Sequence, residues 1–169
     1  VDLTPWSGKT ARLLNIAQMF NGCTALTDVK GMNNWKNTNL TNMSETFQNC
    51  SALVNLDLSG FTTPALINLD STFQGCAKLE TVKLDSMALN TVTNMAQMFY
   101  NCSSLKSVNP DGSAKPFKFA NANNTPALQT INGMFYGCSV LESVDLSNFT
   151  GGAFTGTSLA STFYGCASM

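Results

Sequence analysis

The sequence contains no histidine. That removes the commonest general base, the usual imidazole metal ligand and every nucleophilic triad built on histidine. Charge is scarce too: Lys and Arg number 9, Asp and Glu 10, together 11% of the chain, where about a quarter is ordinary. A net charge of −1 with no basic run leaves nothing to neutralise phosphates, so no nucleic-acid partner is expected. There is no apolar run of membrane-spanning length and no signal-peptide pattern, so any membrane attachment is expected through an anchor outside this chain. Paired carboxylates and a glycine-rich phosphate loop are also missing. The residues therefore nominate no catalytic group, metal or cofactor, and no enzyme activity is expected.

What the chain does have is a repeat. A phenylalanine stands three residues ahead of each of the six cysteines, from Phe20/Cys23 through Phe47/Cys50, Phe73/Cys76, Phe99/Cys102 and Phe135/Cys138 to Phe163/Cys166. Successive cysteines lie 27, 26, 26, 36 and 28 residues apart. A period in the twenties means stacked units, each burying its apolar face against its neighbours. With each cysteine as position zero, leucine occupies +3 (Leu26, Leu53, Leu79, Leu105, Leu141), and Val or Leu occupies +6 (Val29, Leu56, Val82, Val108, Val144). Leu58, Leu84 and Leu146 stand at +8. This spacing is that of a leucine-rich-repeat strand with one buried face. Ahead of the cysteine, apolar residues at −7 and −3 have the four-residue spacing of a helix face. The residue at −1 is always Gly or Asn, the types that best tolerate the left-handed conformation ending a helix. The expected fold is a leucine-rich-repeat-like α/β solenoid, with one short parallel strand and one short helix per repeat of about 26 residues.

Two segments carry a family resemblance: Thr93–Leu105 (TNMAQMFYNCSSL) and Leu141–Thr150 (LESVDLSNFT). They are similar to the BspA-like leucine-rich-repeat surface proteins and to the mycoplasma-type surface-lipoprotein repeats, and the resemblance runs through essentially the whole chain. It implies an extracellular, cell-surface recognition or adhesion role with protein or glycan partners, and it supplies no catalytic residues.

The chain is expected to be a single array over residues 1–169, about six repeats, opening and closing in mid-repeat. Val1-Asp2-Leu3-Thr4-Pro5-Trp6 matches Val144–Phe149 position for position, which suggests a slice of a longer array. The repeat after Cys102 is longer, and Pro110 should stop its strand near Asn109. An insertion loop is therefore expected over 109–124, with Asp111, Lys115, Phe117 and Phe119 as its binding candidates.

The cysteines read as a file of buried free thiols. Their spacing of about 5 Å leaves neighbouring disulfides as an alternative, while no C-x₂₋₄-C pair suggests zinc. The strand positions +7 (Asp2, Lys30, Asp57, Lys83, Asn109, Asp145) and +4 (Glu80, Lys106, Glu142) should point out of the sheet and bring opposite charges together. Those files either specify register or form a ligand-facing surface. The functional expectation is recognition through this strand face. The alternative is a structural stalk or filament that self-associates through its repeat ends.

Overall fold

The structure, a computed structural model, describes residues 1–84, 87–106, 117–118, 125–147, 149, 154, 156 and 158–169. Its regular elements are few. Two 3-10 turns occur at Thr4–Trp6 and Met32–Asn34, and four short strands are β1 (Asn55–Asp57), β2 (Thr81–Lys83), β3 (Phe117–Lys118) and β4 (Val144–Asp145). β1 pairs in parallel with β2, aligning Leu56 with Val82, and β3 pairs in parallel with β4, aligning Phe117 with Val144. Isolated parallel bridges join Asp2 to Lys30 and Lys36 to Thr62.

The expected helix in each repeat is not there, so the fold is not an α/β solenoid. Among the described residues no α-helix occurs. In its place is a run of overlapping turns whose backbone alternates in purpose. In the second repeat the N–H groups of Met43, Glu45, Phe47 and Asn49 donate sideways to the carbonyls of Asn68, Asp70, Thr72 and Gln74, at 2.7–3.0 Å. The intervening N–H groups of Thr46, Gln48 and Cys50 donate within their own repeat to Met43, Glu45 and Phe47. An α-helix needs every N–H for its own i−4 carbonyl, and here every second one is given to the neighbour.

Backbone conformation enforces this. Position −5 has positive φ in every repeat (Gln18 61°, Glu45 55°, Ser71 53°, Gln97 53°, Gly133 59°, Ser161 56°). Position −1 is left-handed again, at Asn49 (60°), Asn101 (58°) and four glycines. The buried residues at −7, −4, −3 and 0 keep the i, i+3, i+4, i+7 spacing of a helix face, but successive turns satisfy that spacing equally well.

The core is made of files of equivalent side chains. Six phenylalanine rings stack in sequence with centroids 5.3–5.8 Å apart and planes within 13° of parallel. Leu40, Leu66, Val92 and Leu128 at −10 and Leu53, Leu79, Leu105 and Leu141 at +3 are fully buried alongside them. At −4 a threonine is tolerated because its hydroxyl donates to carbonyls: Thr46 Oγ1 reaches Met43 O at 2.7 Å and Ile16 O at 3.1 Å, and Thr72 repeats the pattern.

All six cysteines are free, and Cys50, Cys76, Cys102 and Cys138 are buried. Each of these thiols donates to the phenylalanine carbonyl of the preceding repeat at 3.0–3.1 Å. Burial, reinforced by the neighbouring thiol, pushes Cys50 up to about 11 and Cys76 and Cys138 to about 12. Thiolate is the reactive form, so these four should resist Ellman's reagent in the native protein while exposed Cys23 reacts, and denaturation without reductant should release all six. Fewer than six thiols after denaturation would show that some are oxidised.

The Gly/Asn choice at −1 follows a local rule. A Cβ on Gly75 would overlap Asn49 Oδ1, and one on Gly137 would overlap Asn101 Oδ1. An asparagine in one repeat thus requires glycine in the next. Gly75→Ala adds this clash to the strain of alanine at φ +74° and should cost about 1–3 kcal/mol. Urea unfolding measures it, and adding Asn49→Gly should restore part of the loss.

Candidate functional site

The strand face is built from positions flanking the buried +6 residue. Leu56 and Val82 point inward, which turns Asp57 and Lys83 outward in register with one another. Asp2 and Lys30 face each other across an isolated parallel bridge, and both are exposed. At +4, the exposed Lys106 ammonium lies 2.7 Å from Glu80 Oε2. With both side chains about half exposed, this pair contributes from nothing to about 1 kcal/mol. Glu142 occupies the same position one repeat on and is exposed, and Asp145 in β4 is half-buried. At +5, Thr81 donates its hydroxyl to Asn55 Oδ1.

The aspartates of the +7 file have a task that the charge pattern did not suggest. Asp2, Asp57 and Asp145 each accept the N–H two residues on, from Thr4, Ser59 and Ser147 at 2.8, 2.9 and 2.8 Å. These Asx turns end the strand. The signal was present as the recurring Asp-Leu-Ser/Thr triplet (Asp2-Leu3-Thr4, Asp57-Leu58-Ser59, Asp145-Leu146-Ser147). Around Asp57, burial opposes ionisation, but hydrogen bonds from the Ser59 side chain and backbone together with Lys83 outweigh it and hold the carboxyl below its ordinary value. At Asp2 the Thr4 hydrogen bonds do the same, with help from Lys30.

Among the insertion-loop candidates, Asp111, Lys115 and Phe119 lie outside the described residues, as does Asn109 of the +7 file. Phe117, expected in a loop, stands in β3. There it takes the register position opposite Val144, and Lys118 takes the one opposite Asp145. Phe117-Lys118-Phe119 copies the pattern of Val82-Lys83-Leu84. Lys118 is therefore the member of the file opposite Asp145, and the fixed spacing from cysteine hid it behind Asn109.

A second polar file escaped the strand-face reading. At −8, Asn15, Asn42, Asn68, Asn94 and Thr130 form a continuous run of parallel bridges. Each asparagine side-chain oxygen accepts the N–H two residues on, at 2.7–3.0 Å. On the turn face beside it, Asp70 is partly buried close to Glu45; burial first and Glu45 second push its carboxyl above the ordinary value, against a hydrogen bond from Ser71.

Among the described residues, no group of three or more Asp, Glu or Cys is placed to hold a metal ion, and no helix is long and apolar enough to cross a membrane. An open concavity of about 500 Å³ lies against Val1, Phe20, Cys23, Leu26 and Thr27, the last at the +4 position of the first repeat. Among the described residues, what the strand face offers chemically is a row of hydrogen-bonding groups and of acidic and basic side chains facing one another.

Residues 14–147 match the family described as Mycoplasma protein of unknown function, DUF285. The chain belongs to this family. No curated protein and no solved structure matches it. The match begins at Leu14, just ahead of the first bridged asparagine, and ends at Ser147, the Asx-turn partner of Asp145. In this DUF285 chain the matched span thus takes in the −8 file and the strand-face residues from Lys30 to Asp145.

Two carboxylates shift in opposite directions, which fixes the sign of their acid response. Asp57, held low, contributes stability above the ordinary aspartate range that is lost as pH falls through its folded value. Asp70, held high, is destabilising when ionised and relieved on protonation. Asp57→Asn should therefore lower stability at neutral pH and flatten the acid limb below about pH 4. Asp70→Asn should raise stability at neutral pH, and chemical denaturation at several pH values reads both.

Proposed function

We propose that this chain is a non-enzymatic recognition module of a cell-surface or secreted protein that binds a protein or glycan through its strand face. The observation that carries this reading is the outward row of charged side chains, Lys30, Asp57, Lys83, Glu80, Lys106 and Glu142, in which Asp57 and Lys83 are paired in register and Glu80 and Lys106 form an ion pair. Pre-organised polar groups lose little entropy on binding, and alternating signs favour a partner of complementary pattern over a uniformly charged one. Membership of DUF285, together with the resemblance of the repeats to BspA-like surface proteins, supports placing the module outside the cell.

The test is binding of the folded chain to immobilised extracellular-matrix proteins and to a glycan array, followed by charge reversal. Lys83→Glu and Lys106→Glu should each weaken a detected interaction at least tenfold while shifting the unfolding midpoint only slightly. Unchanged binding by both variants would overturn the strand-face assignment. If no ligand binds and the chain instead polymerises with rising concentration in sedimentation, the recognition reading gives way to a structural, end-to-end role.

A further inference from the structure

The chain has three tyrosines, and all three stand at −2, in consecutive repeats: Tyr100, Tyr136 and Tyr164. In the earlier repeats that position holds Asn21, Gln48 and Gln74, whose amides hydrogen-bond from one repeat to the next. The tyrosines form a stack instead. The Tyr100 and Tyr136 centroids are 4.4 Å apart with planes 8° from parallel, and those of Tyr136 and Tyr164 are 4.8 Å and 16°. Both centroid distances are shorter than that of any stacked phenylalanine pair among the described residues, the nearest of which is at 5.3 Å.

The stack is reachable from solvent. Tyr100 and Tyr136 are half-buried and Tyr164 is 65% exposed. Gly133 packs beside the stack, where a Cβ would sit 3.6 Å from Tyr100 Cδ2 and 4.0 Å from Tyr136 Cβ. The thiols two residues beyond Tyr100 and Tyr136, Cys102 and Cys138, are buried and strongly disfavoured as thiolates, while Cys166 beyond Tyr164 is half-buried. An oxidant arriving at the Tyr100–Tyr136 pair therefore meets these phenols before Cys102 or Cys138.

We propose that this file is a site of oxidative coupling, in which a one-electron oxidant, a peroxidase with hydrogen peroxide, joins Tyr136 to Tyr100 through a carbon–carbon bond. Each phenol gives up one electron and its hydroxyl proton. The two electrons and two protons reduce one hydrogen peroxide to two waters. The two phenoxyl radicals pair their unpaired electrons in a bond between ring carbons ortho to oxygen, and each of those carbons then passes its hydrogen to its own oxygen. Two phenols are restored in one biaryl, and the chain has lost two hydrogen atoms. Pre-alignment favours coupling within the chain, because the partner ring is already in contact. The product links residues 36 apart in sequence across the longest repeat, closing a loop whose freedom otherwise favours the unfolded state.

The experiment treats the dilute native chain with peroxidase and hydrogen peroxide. A monomer lighter by two hydrogens is expected, with blue dityrosine fluorescence, a cross-linked peptide joining Tyr100 to Tyr136, and a raised unfolding midpoint. Tyr136→Phe keeps the stack but leaves Tyr100 and Tyr164 on opposite sides of an inert ring, so the intramolecular product should vanish. Tyr164→Phe retains the proposed pair and should retain the product. Circular dichroism of both variants checks that the repeats remain folded. The proposal is overturned if N-acetyltyrosine couples in the same mixture while the protein does not. It is equally overturned if coupling occurs only between chains or only in denaturant, if it survives Tyr136→Phe, or if the link maps to Tyr136 and Tyr164 alone.

Discussion

Sideways donation of alternate backbone N–H groups to the equivalent carbonyl one repeat on is the constraint from which the rest follows. It runs through the turns ahead of each cysteine, from Ile16, Gln18, Phe20 and Gly22 in the first repeat to Ile131, Gly133, Phe135 and Gly137 in the fifth. Because donor and acceptor occupy matching positions, sliding one repeat against the next would break every such bond and leave buried polar groups unpaired. Register is thereby fixed by the backbone, and side chains must accept as neighbours whatever stands at their own position in adjacent repeats.

That condition explains the composition. Phenylalanine at −3 recurs because a ring stacks on a copy of itself. Cysteine recurs at zero because a small apolar side chain with one weak donor can fill the site and satisfy the carbonyl of the preceding phenylalanine residue. Threonine can replace methionine at −4 because its hydroxyl finds a carbonyl in its own repeat and another in the preceding one. Asparagine and glycine share −1 because a side chain there lies over the next repeat's Cα. Charge is scarce for a related reason. A charge placed in a file meets its own position again at the next layer, so opposite signs are favoured there, as at Glu80 and Lys106.

The period, the parallel register of +6 residues and the buried files were legible in the sequence, since they follow from which residues recur. Conformation between the recurring residues was not. Buried positions at −7, −4, −3 and 0 fit a helix and a run of interlocked turns alike, and the difference lies in backbone donors that leave no mark on side-chain spacing. A clue did exist at −5, where no bulky apolar residue occurs and where a non-glycine residue is left-handed in five of six repeats. Left-handed Gln and Glu are uncommon, so nothing in those residue types announces the geometry. In the candidate site, the outward charges of β1 and β2 could be read from period-2 alternation. Lys118 could not, because counting from Cys102 assumes a constant repeat length, and the extra residues moved the strand pairing to Phe117–Lys118.

A surface made of files has a consequence for recognition. In most folds a binding residue is individual, and its neighbours are free to be anything. Here the Asp57 carboxylate ends a strand through Ser59, answers the charge of Lys83 and faces solvent at once. Its role in holding the repeat fixes its orientation, and fixed orientation is what makes an exposed polar group useful to a partner. A charge that holds the register can therefore stay exposed to solvent, as Asp57 does. Among the described residues the stack is built without an α-helix or a large sheet, and variation within a file, such as amides giving way to tyrosines at −2, changes the chemistry of one stretch of surface while the backbone hydrogen bonding beneath it stays the same.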